Sequence, residues 1–370
     1  MATGITTYQC PACTGPLHFV GESGRLECDY CGKSYDVTEI ERLFSEKEAA
    51  SVEAQEKAEA KQEKEKAAAE EMGDSWDEQE AAGLRAYNCP SCGAELICDA
   101  STAATSCPYC GNPTIVPGQF TGGLRPDLLI PFRLDKQAAI NALKMYYRGK
   151  KFLPKAFSEQ NHIEEIQGVY VPFWLCDCRV EGNASYSATN SRSWTSGNYE
   201  ITETDYYQVE RSGTLGFERI PVDASSKMPD AHMDAIEPYD YSELKPFSTA
   251  YLPGFLADKY DVSQQDCLPR IETRAQNSAA SELRNSVKGY GAVNVQKQSF
   301  RFNSCGMKYA LMPVWMLSTK WNGKNFLFAM NGQTGKLIGD LPVDKGKYFA
   351  WFAGIAVPLM ALILGFWFLL

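Results

Sequence analysis

Histidine is scarce in this sequence of 370 residues, and its three copies, His18, His162 and His232, stand far apart. No metalloprotease-type HExxH helix and no nucleophile motif accompanies any of them. The tripeptide Gly32-Lys33-Ser34 matches the end of a phosphate-binding loop, but Glu27 stands where that loop needs its first glycine. These absences predict a protein that is not an enzyme.

A secretory signal is also missing from the sequence. The first ten residues contain neither a basic region nor an apolar run. We therefore expect the chain to start in the cytoplasm, where thiols stay reduced. In such a compartment the 13 cysteines are interpreted as metal ligands or free thiols before disulfides.

Positive charge is in short supply, since the net charge is −10. Residues 39–83 alone carry −9, while the cysteine-rich segments 1–38 and 84–118 carry −2 and −1. Nucleic-acid binding needs a basic surface that displaces counterions from phosphates. The charge distribution therefore argues against a nucleic-acid partner for these segments.

Charge of either sign is absent from the 23 residues Tyr348–Leu370. As a helix this stretch is about 34 Å long, enough for a bilayer core of about 30 Å. The alternative, a buried core helix, would need a covering structure. Lys345 and Lys347 precede the stretch, and positive residues favour the cytoplasmic side. We expect a single-pass protein of the cell membrane with its N-terminal bulk in the cytoplasm.

What the sequence does contain is a duplicated cysteine pattern. Two CxxC pairs separated by fourteen residues occur twice, and Gly32, Gly93 and Gly111 follow three of the pairs. Two such pairs can complete a tetrahedral shell of four sulfurs around zinc, with no open position for a substrate. The pattern predicts two structural zinc sites, with iron as the chemical rival. The expected ligands are Cys10, Cys13, Cys28, Cys31, Cys89, Cys92, Cys107 and Cys110.

A competing interpretation treats the four pairs as thioredoxin-like redox pairs. That chemistry requires a CxxC at the start of a helix in a βαβ unit, a context that none of these pairs has. Cys98 is expected to be a spare buried thiol, and Cys176 and Cys178 to be strand residues.

The predicted fold class is multidomain. We expect small β zinc ribbons at 1–38 and 84–118, a charged acidic helical spacer at 39–83, an α+β domain at 119–345 and a transmembrane helix at 348–370. In the α+β domain, Asp135 is expected to cap a helix, and two segments with a proline two residues before a tryptophan are expected to be edge or bulged strands.

The cysteine pairs resemble TFIIB-type zinc ribbons, and the layout is similar to that of bacterial zinc-ribbon membrane proteins often labelled primosomal-helicase-like. The resemblance extends to Val171-Pro-Phe-Trp, to the segment around Asn331-Gly332 and to the terminal span. Some members of that family resemble envelope-stress components that work with flotillin-like and phage-shock-type proteins. The resemblance therefore implies a scaffold that recruits proteins to the membrane.

Two functions remain open at this point. One is a membrane-anchored adaptor that recruits cytoplasmic protein partners. The alternative is a nucleic-acid-binding or replication-associated zinc-ribbon factor, which the TFIIB-type label suggests.

Overall fold

The computed structural model of the chain describes residues 8, 10–12, 17–21, 23–28, 30–43, 45–46, 76, 78–102, 106–112, 116–118, 124–155, 157 and 163–369. They form a multidomain α+β protein with two separate sheets. Cys13, His162 and residues 47–75 of the predicted spacer lie outside the described residues.

The first sheet is a small antiparallel unit near the N-terminus. Its strands are β1 (Leu17–Val20), β2 (Arg25–Cys28) and β3 (Ser34–Tyr35), and β2 pairs with both of the others. A helical segment at 37–43 follows. Leu17, Leu26 and Ile40 form a core of their own with two cysteines. This unit therefore has a core separate from the rest of the protein.

The second sheet contains eleven strands. They are β4 (Leu84–Asn88), β5 (Glu95–Asp99), β6 (Val116–Gly118), β7 (Leu128–Leu129), β8 (Gln167–Ser196), β9 (Tyr199–Asp223), β10 (Lys245–Pro246), β11 (Leu256–Asp258), β12 (Ala292–Trp321), β13 (Lys324–Asn331) and β14 (Leu337–Gly339). The main order is β10-β7-β12-β8-β11-β5-β4-β6, with β9 beside β8, β13 beside β12, and β14 beside β13.

Strand β5 connects the segment predicted as the second ribbon to the segment predicted as the α+β domain. It pairs antiparallel with β11, with Ile97 opposite Ala257 and Leu96 opposite Asp258. Strand β11 in turn pairs parallel with β8. Strands from residues 84–118 and strands from the residues after 124 thus belong to one continuous sheet. The domain boundary predicted between residues 118 and 119 separates strands that the sheet joins.

The helices near the large sheet are α1 (Glu78–Ala82), α2 (Lys136–Tyr147), α3 (Asp230–Ile236) and α4 (Gln264–Asn285). Of these, α2, α3 and α4 pack against its strands. As predicted, Asp135 caps α2, because its carboxylate accepts a hydrogen bond of 2.7 Å from the Ala138 N–H. Short 3₁₀ turns occur at Ile163–Glu165, Tyr241–Glu243 and Thr249–Tyr251. The core lies where β8 and β12 are covered on both faces.

Strands β8, β9 and β12 continue beyond this core as a long antiparallel arm. Strand β8 has 30 residues, which corresponds to about 100 Å of extended chain. From Cys178 to Ala188 buried residues alternate with exposed or partly exposed ones, and the buried face packs against α4. Gly197, with φ +63°, turns the chain from β8 into β9. The arm therefore has one covered face and one open face.

The two proline-containing segments occupy neighbouring strands, and neither is an edge strand. Pro172 lies in β8 where pairing with β11 ends and pairing with β9 begins. Pro313 lies in β12 between the stretches that pair with β7 and with β13. Each proline sits at a break in the neighbouring ladder, so its missing N–H removes no strand hydrogen bond. The prediction of edge strands is therefore wrong. The alternative of a bulge is not met at the prolines either, because the register shifts in these strands lie at Val295/Lys297, Ser304/Gly306 and Cys176/Cys178.

The described chain closes with α5, which spans Lys345–Leu369. It is the helix among the described residues that is long and apolar enough to cross a membrane, and none of that candidate span is buried within the protein. The side chains of Phe349, Phe352, Leu359 and Leu362 are all more than half exposed. A covering structure, which the core-helix alternative needs, is not found in the described part of the chain.

Candidate metal centre

The second cysteine cluster brings four thiols to one point. Cys89 Sγ lies 3.6 Å from Cys110 Sγ, and Cys92 Sγ lies 3.6 Å from Cys107 Sγ. All four sulfurs lie within 4.8 Å of one another. Four sulfurs about 2.3 Å from a tetrahedral zinc would be about 3.8 Å apart, whereas a disulfide bond is about 2.05 Å long. The spacing thus fits a shared metal ion and excludes disulfide pairing among these four residues.

Each half of this cluster is a tight turn held by its own backbone. The Gly93 N–H donates to the Cys89 carbonyl at 2.8 Å, and the Gly111 N–H donates to the Cys107 carbonyl at 2.9 Å. Both glycines have positive φ, +69° and +66°. That conformation is strained for a residue with a Cβ, which is why glycine follows the second cysteine of each pair. The turns aim both thiols of a pair inward.

The first cluster has the same geometry in its described part. The thiols of Cys10, Cys28 and Cys31 lie within 4.8 Å of one another, with Cys10 Sγ and Cys31 Sγ 3.5 Å apart. Gly32, with φ +65°, donates its N–H to the Cys28 carbonyl at 2.9 Å. The fourth predicted ligand, Cys13, lies outside the described residues. Three predicted ligands are thus brought together at this centre, and all four at the second.

The surroundings of the two clusters differ. Cys89 and Cys107 belong to the core of the large sheet, where they pack with Leu96, Tyr109 and residues of β8 and β12. A Cβ added at Gly111 would lie 3.2 Å from the backbone oxygen of Ser318 in β12. Cys10 and Cys28 belong to the small separate core. The second cluster is therefore built into the main domain.

Comparison with known proteins yields one family relationship. No family model matches the chain, and no solved structure matches it. The uncharacterized protein YdjG of Bacillus subtilis (strain 168) is 35% identical over 334 aligned residues, which cover 75% of this chain and 98% of YdjG.

The chain belongs to the YdjG family.

In this YdjG-family chain the crowding of the four thiols separates their pKa values. Hydrogen bonds from Cys107, Cys110 and Cys92 lower the pKa of Cys89. The close thiols of Cys110 and Cys89, together with burial, raise the pKa of Cys107. A dication at the centre would favour loss of the proton from every ligand, because it interacts with the thiolate form. The four cysteine side chains are therefore better suited to binding a metal ion than to remaining as a metal-free group of closely spaced thiols.

Three further cysteines, Cys98, Cys176 and Cys178, do not extend either cluster. The Cys98 thiol is buried, donates a hydrogen bond of 3.1 Å to the Thr102 carbonyl, and has its pKa raised by burial to about 11. Cys176 and Cys178 are buried in β8. These three residues lie where the sequence predicted, one as a spare thiol and two as strand residues.

Sequence reasoning missed Asp258, a buried carboxyl group close to Tyr109 of the second cluster. The Asp258 carboxyl on β11 is buried, accepts a hydrogen bond of 2.7 Å from the Ser225 hydroxyl, and has its pKa raised to about 7 by burial. The negative charge of Asp258 also adds to the burial that raises the pKa of Tyr109, a residue between two cluster cysteines. Tyr109 is more than 100 positions from both Ser225 and Asp258, so no local motif connects it to them.

Proposed function

We propose that this protein is a membrane-anchored adaptor whose cysteine clusters hold structural zinc and whose cytoplasmic part recruits protein partners. The observation that carries the proposal is the apolar helix α5, which is uncovered by the described protein and follows directly on the folded domain. Lys345 and Lys347 at its start favour a cytoplasmic position for the preceding domain.

The arrangement of the four cysteines in the second cluster supports a structural role for the metal. Four thiols already fill the tetrahedral shell that zinc prefers, so no position stays open for water or substrate. The cysteines lie inside the core of the large sheet, and their backbone turns are fixed by hydrogen bonds. Zinc bound there would stabilise the fold, while the chemistry of an enzyme would need an open site.

The open end of the arm supports an interaction role. Beyond the part covered by α4, the hairpin of β8 and β9 exposes Trp194, Tyr199, Ile201, Tyr206 and Tyr207. Aromatic side chains on a surface are typical of protein interfaces, and a sheet positions them rigidly. The resemblance of the cysteine pattern to TFIIB-type membrane proteins makes flotillin-like and phage-shock-type proteins the partners to test.

The first test concerns the anchor and the metal. Cells producing the full chain are compared with cells producing residues 1–344, and their membranes are washed at alkaline pH. We expect the full chain to stay in the membrane and the shortened chain to leave it. The purified full chain should contain two zinc ions. Release of the full chain by the wash would refute the anchor, and iron in place of zinc would refute the metal assignment.

The second test concerns the partner. The full chain, purified in mild detergent, is mixed with a purified flotillin-like or phage-shock-type protein, and complex formation is measured. Tyr206→Ser in the arm should weaken the complex, while Met145→Ser, at another exposed hydrophobic residue that lies on α2, should not. Salt-sensitive binding of DNA, with neither protein bound, would favour the nucleic-acid alternative and contradict the adaptor.

A further inference from the structure

A basic loop far away in sequence lies beside the start of α5. It connects α2 to the following turn and contains Arg148, Lys150, Lys151 and Lys155 without an acidic residue between positions 148 and 155. Together with Lys345 and Lys347 it forms a set of six cations, which we call the basic collar. The two parts of the collar are separated by about 190 positions in the sequence, and only the fold brings them together.

Specific contacts fix the loop against the helix. The Asp344 N–H donates to the Phe152 carbonyl at 2.8 Å, and the Lys347 ammonium donates to the Leu153 carbonyl at 2.7 Å. The Phe152 ring lies 5.8 Å from the ring of Tyr348 and 6.4 Å from that of Trp351, measured between centroids. The loop is therefore held at the side of α5.

The depth of the loop along the helix follows from these contacts. Lys151 Nζ lies 4.4 Å from the centroid of the Trp351 ring. Trp351 is six residues after Lys345, which is about 9 Å along a helix. The headgroup layer of a bilayer is about 5–8 Å thick on each side. If α5 enters the membrane near Tyr348, the loop must reach the headgroups.

Four of the six collar cations have no acidic partner among the described residues. In the described part of the chain, no carboxylate forms an ion pair within 4 Å of Arg148, Lys150, Lys151 or Lys345. All four residues are exposed. Lys347 is paired, with its ammonium 3.9 Å from Asp344. Clustered cations at the end of a transmembrane helix are attracted to the negatively charged surface of a bilayer.

We propose that the basic collar is a binding site for the phosphate headgroups of anionic phospholipids, so that the folded domain rests on the membrane surface. This proposal rests on the proposed membrane anchor, because α5 sets the depth of the loop. Phe152, Tyr348 and Trp351 supply the aromatic groups that favour the interface between water and lipid. The loop adds a second, electrostatic attachment to the apolar one.

The test places the full chain in lipid nanodiscs and measures hydrogen exchange of the amides at 148–155. One disc contains phosphatidylcholine alone, and the other contains about 30% phosphatidylglycerol, an anionic lipid. We expect exchange to slow by about tenfold or more in the anionic disc, and the difference to shrink at high salt. Inorganic phosphate added to the neutral disc should not reproduce the protection.

Two charge variants separate the collar from general electrostatics. The variant with Arg148, Lys150, Lys151 and Lys345 all changed to Gln should lose the lipid-dependent protection. A matched control changes the exposed Lys288, Lys297, Arg301 and Lys308 to Gln, and it should retain the protection. A charge-preserving exchange of Lys for Arg and Arg for Lys at the four collar positions should also retain it, which guards against a misfolded variant.

Each remaining outcome has a defined meaning. Equal exchange in both discs, with the amides of α5 protected in each, would overturn the lipid site and leave the anchor intact. Exchange of the α5 amides as fast as in an unfolded chain would overturn the anchor and the lipid site together. Protection already present in neutral discs and lost in the collar variant would indicate the acidic segment 47–75 as the occupant, and would also overturn the proposal.

Discussion

The placement of the two cysteine clusters in different cores leads to a prediction about stability. Cys107→Ser removes a ligand from the cluster inside the large sheet, and Cys28→Ser removes one from the small N-terminal unit. Both changes should reduce the bound zinc from two ions to one per chain. We expect only Cys107→Ser to lower the melting temperature of the main domain.

The size of the effect follows from what the second cluster holds in place. Structural zinc binding contributes on the order of 10 kcal/mol, so losing it should unfold the small strands around the site. Leu96, Ile97 and Tyr109 would then leave the main cores, in which they are at least 90% buried. Each large buried side chain contributes about 1.5–3 kcal/mol, which gives at least about 5 kcal/mol in total.

For a domain of 150–250 residues, about 1 kcal/mol corresponds to a shift of roughly 2–4 °C in melting temperature. Cys107→Ser should therefore lower the main transition by about 10–20 °C. Cys28→Ser should leave that transition within about 2 °C, since its core is separate from the large sheet. Scanning calorimetry of the full chain in detergent, with zinc analysis on the same sample, measures both quantities.

The reasoning would be refuted if the two variants lose one zinc each and melt at the same temperature. It would also be refuted if Cys107→Ser lost its zinc and kept the main transition unchanged. The first result would mean that the two clusters do not differ in their effect on the main domain, and the second would mean that the cluster packed in the main core does not stabilise it.

Three further predictions concern the large sheet. Burial raises the pKa of Asp258 to about 7 in the folded chain from an ordinary value of 3.8. Between these pH values the unfolded chain binds fewer protons than the folded chain, so the free energy of unfolding should fall as pH rises toward 7. Asp258→Asn should remove this contribution to the pH dependence in urea unfolding from pH 5 to 8, and an unchanged pH dependence would refute the assignment. Gly182→Ala should destabilise the arm by about 1–3 kcal/mol, because the new Cβ would lie 2.9 Å from the Phe300 ring. Gly213→Ala on the paired strand is the control, since its new Cβ meets open space. Equal effects of the two substitutions on hydrogen exchange of the α4 amides would contradict the prediction. Arg270→Met should lower the free energy of unfolding by about 3 kcal/mol, because it removes the guanidinium that lies 2.6 Å from the buried carboxylate of Asp223. Adding Asp223→Asn should recover part of that loss in chemical denaturation, and failure to recover any of it would contradict the pairing.

The elements that sequence reasoning located correctly depend on short-range information. In a CxxC pair the two thiols are three residues apart, and the following glycine fixes the turn, so the local chain nearly determines the geometry. The same applies to the cap of α2 at Asp135 and to the uninterrupted apolar stretch of α5. Zinc as the metal, the adaptor role and the absence of enzymatic activity remain predictions.

Other features depend on contacts between distant parts of the chain. Sequence spacing gives both cysteine clusters the same appearance, but pairing of β5 with β11 places only the second one inside the large sheet. The prolines suggested edge or bulged strands, because the sequence does not show where one neighbouring strand ends and another begins.

The sequence by itself determined which residues can bind a metal ion and which stretch can cross a membrane, because both properties reside in residues close together along the chain. Only the tertiary structure decided that the loop containing Lys150 and Lys151 lies beside Lys347 at the start of α5. Such a neighbourhood arises from the packing of the whole domain, in which residues nearly 200 positions apart are held within hydrogen-bond distance.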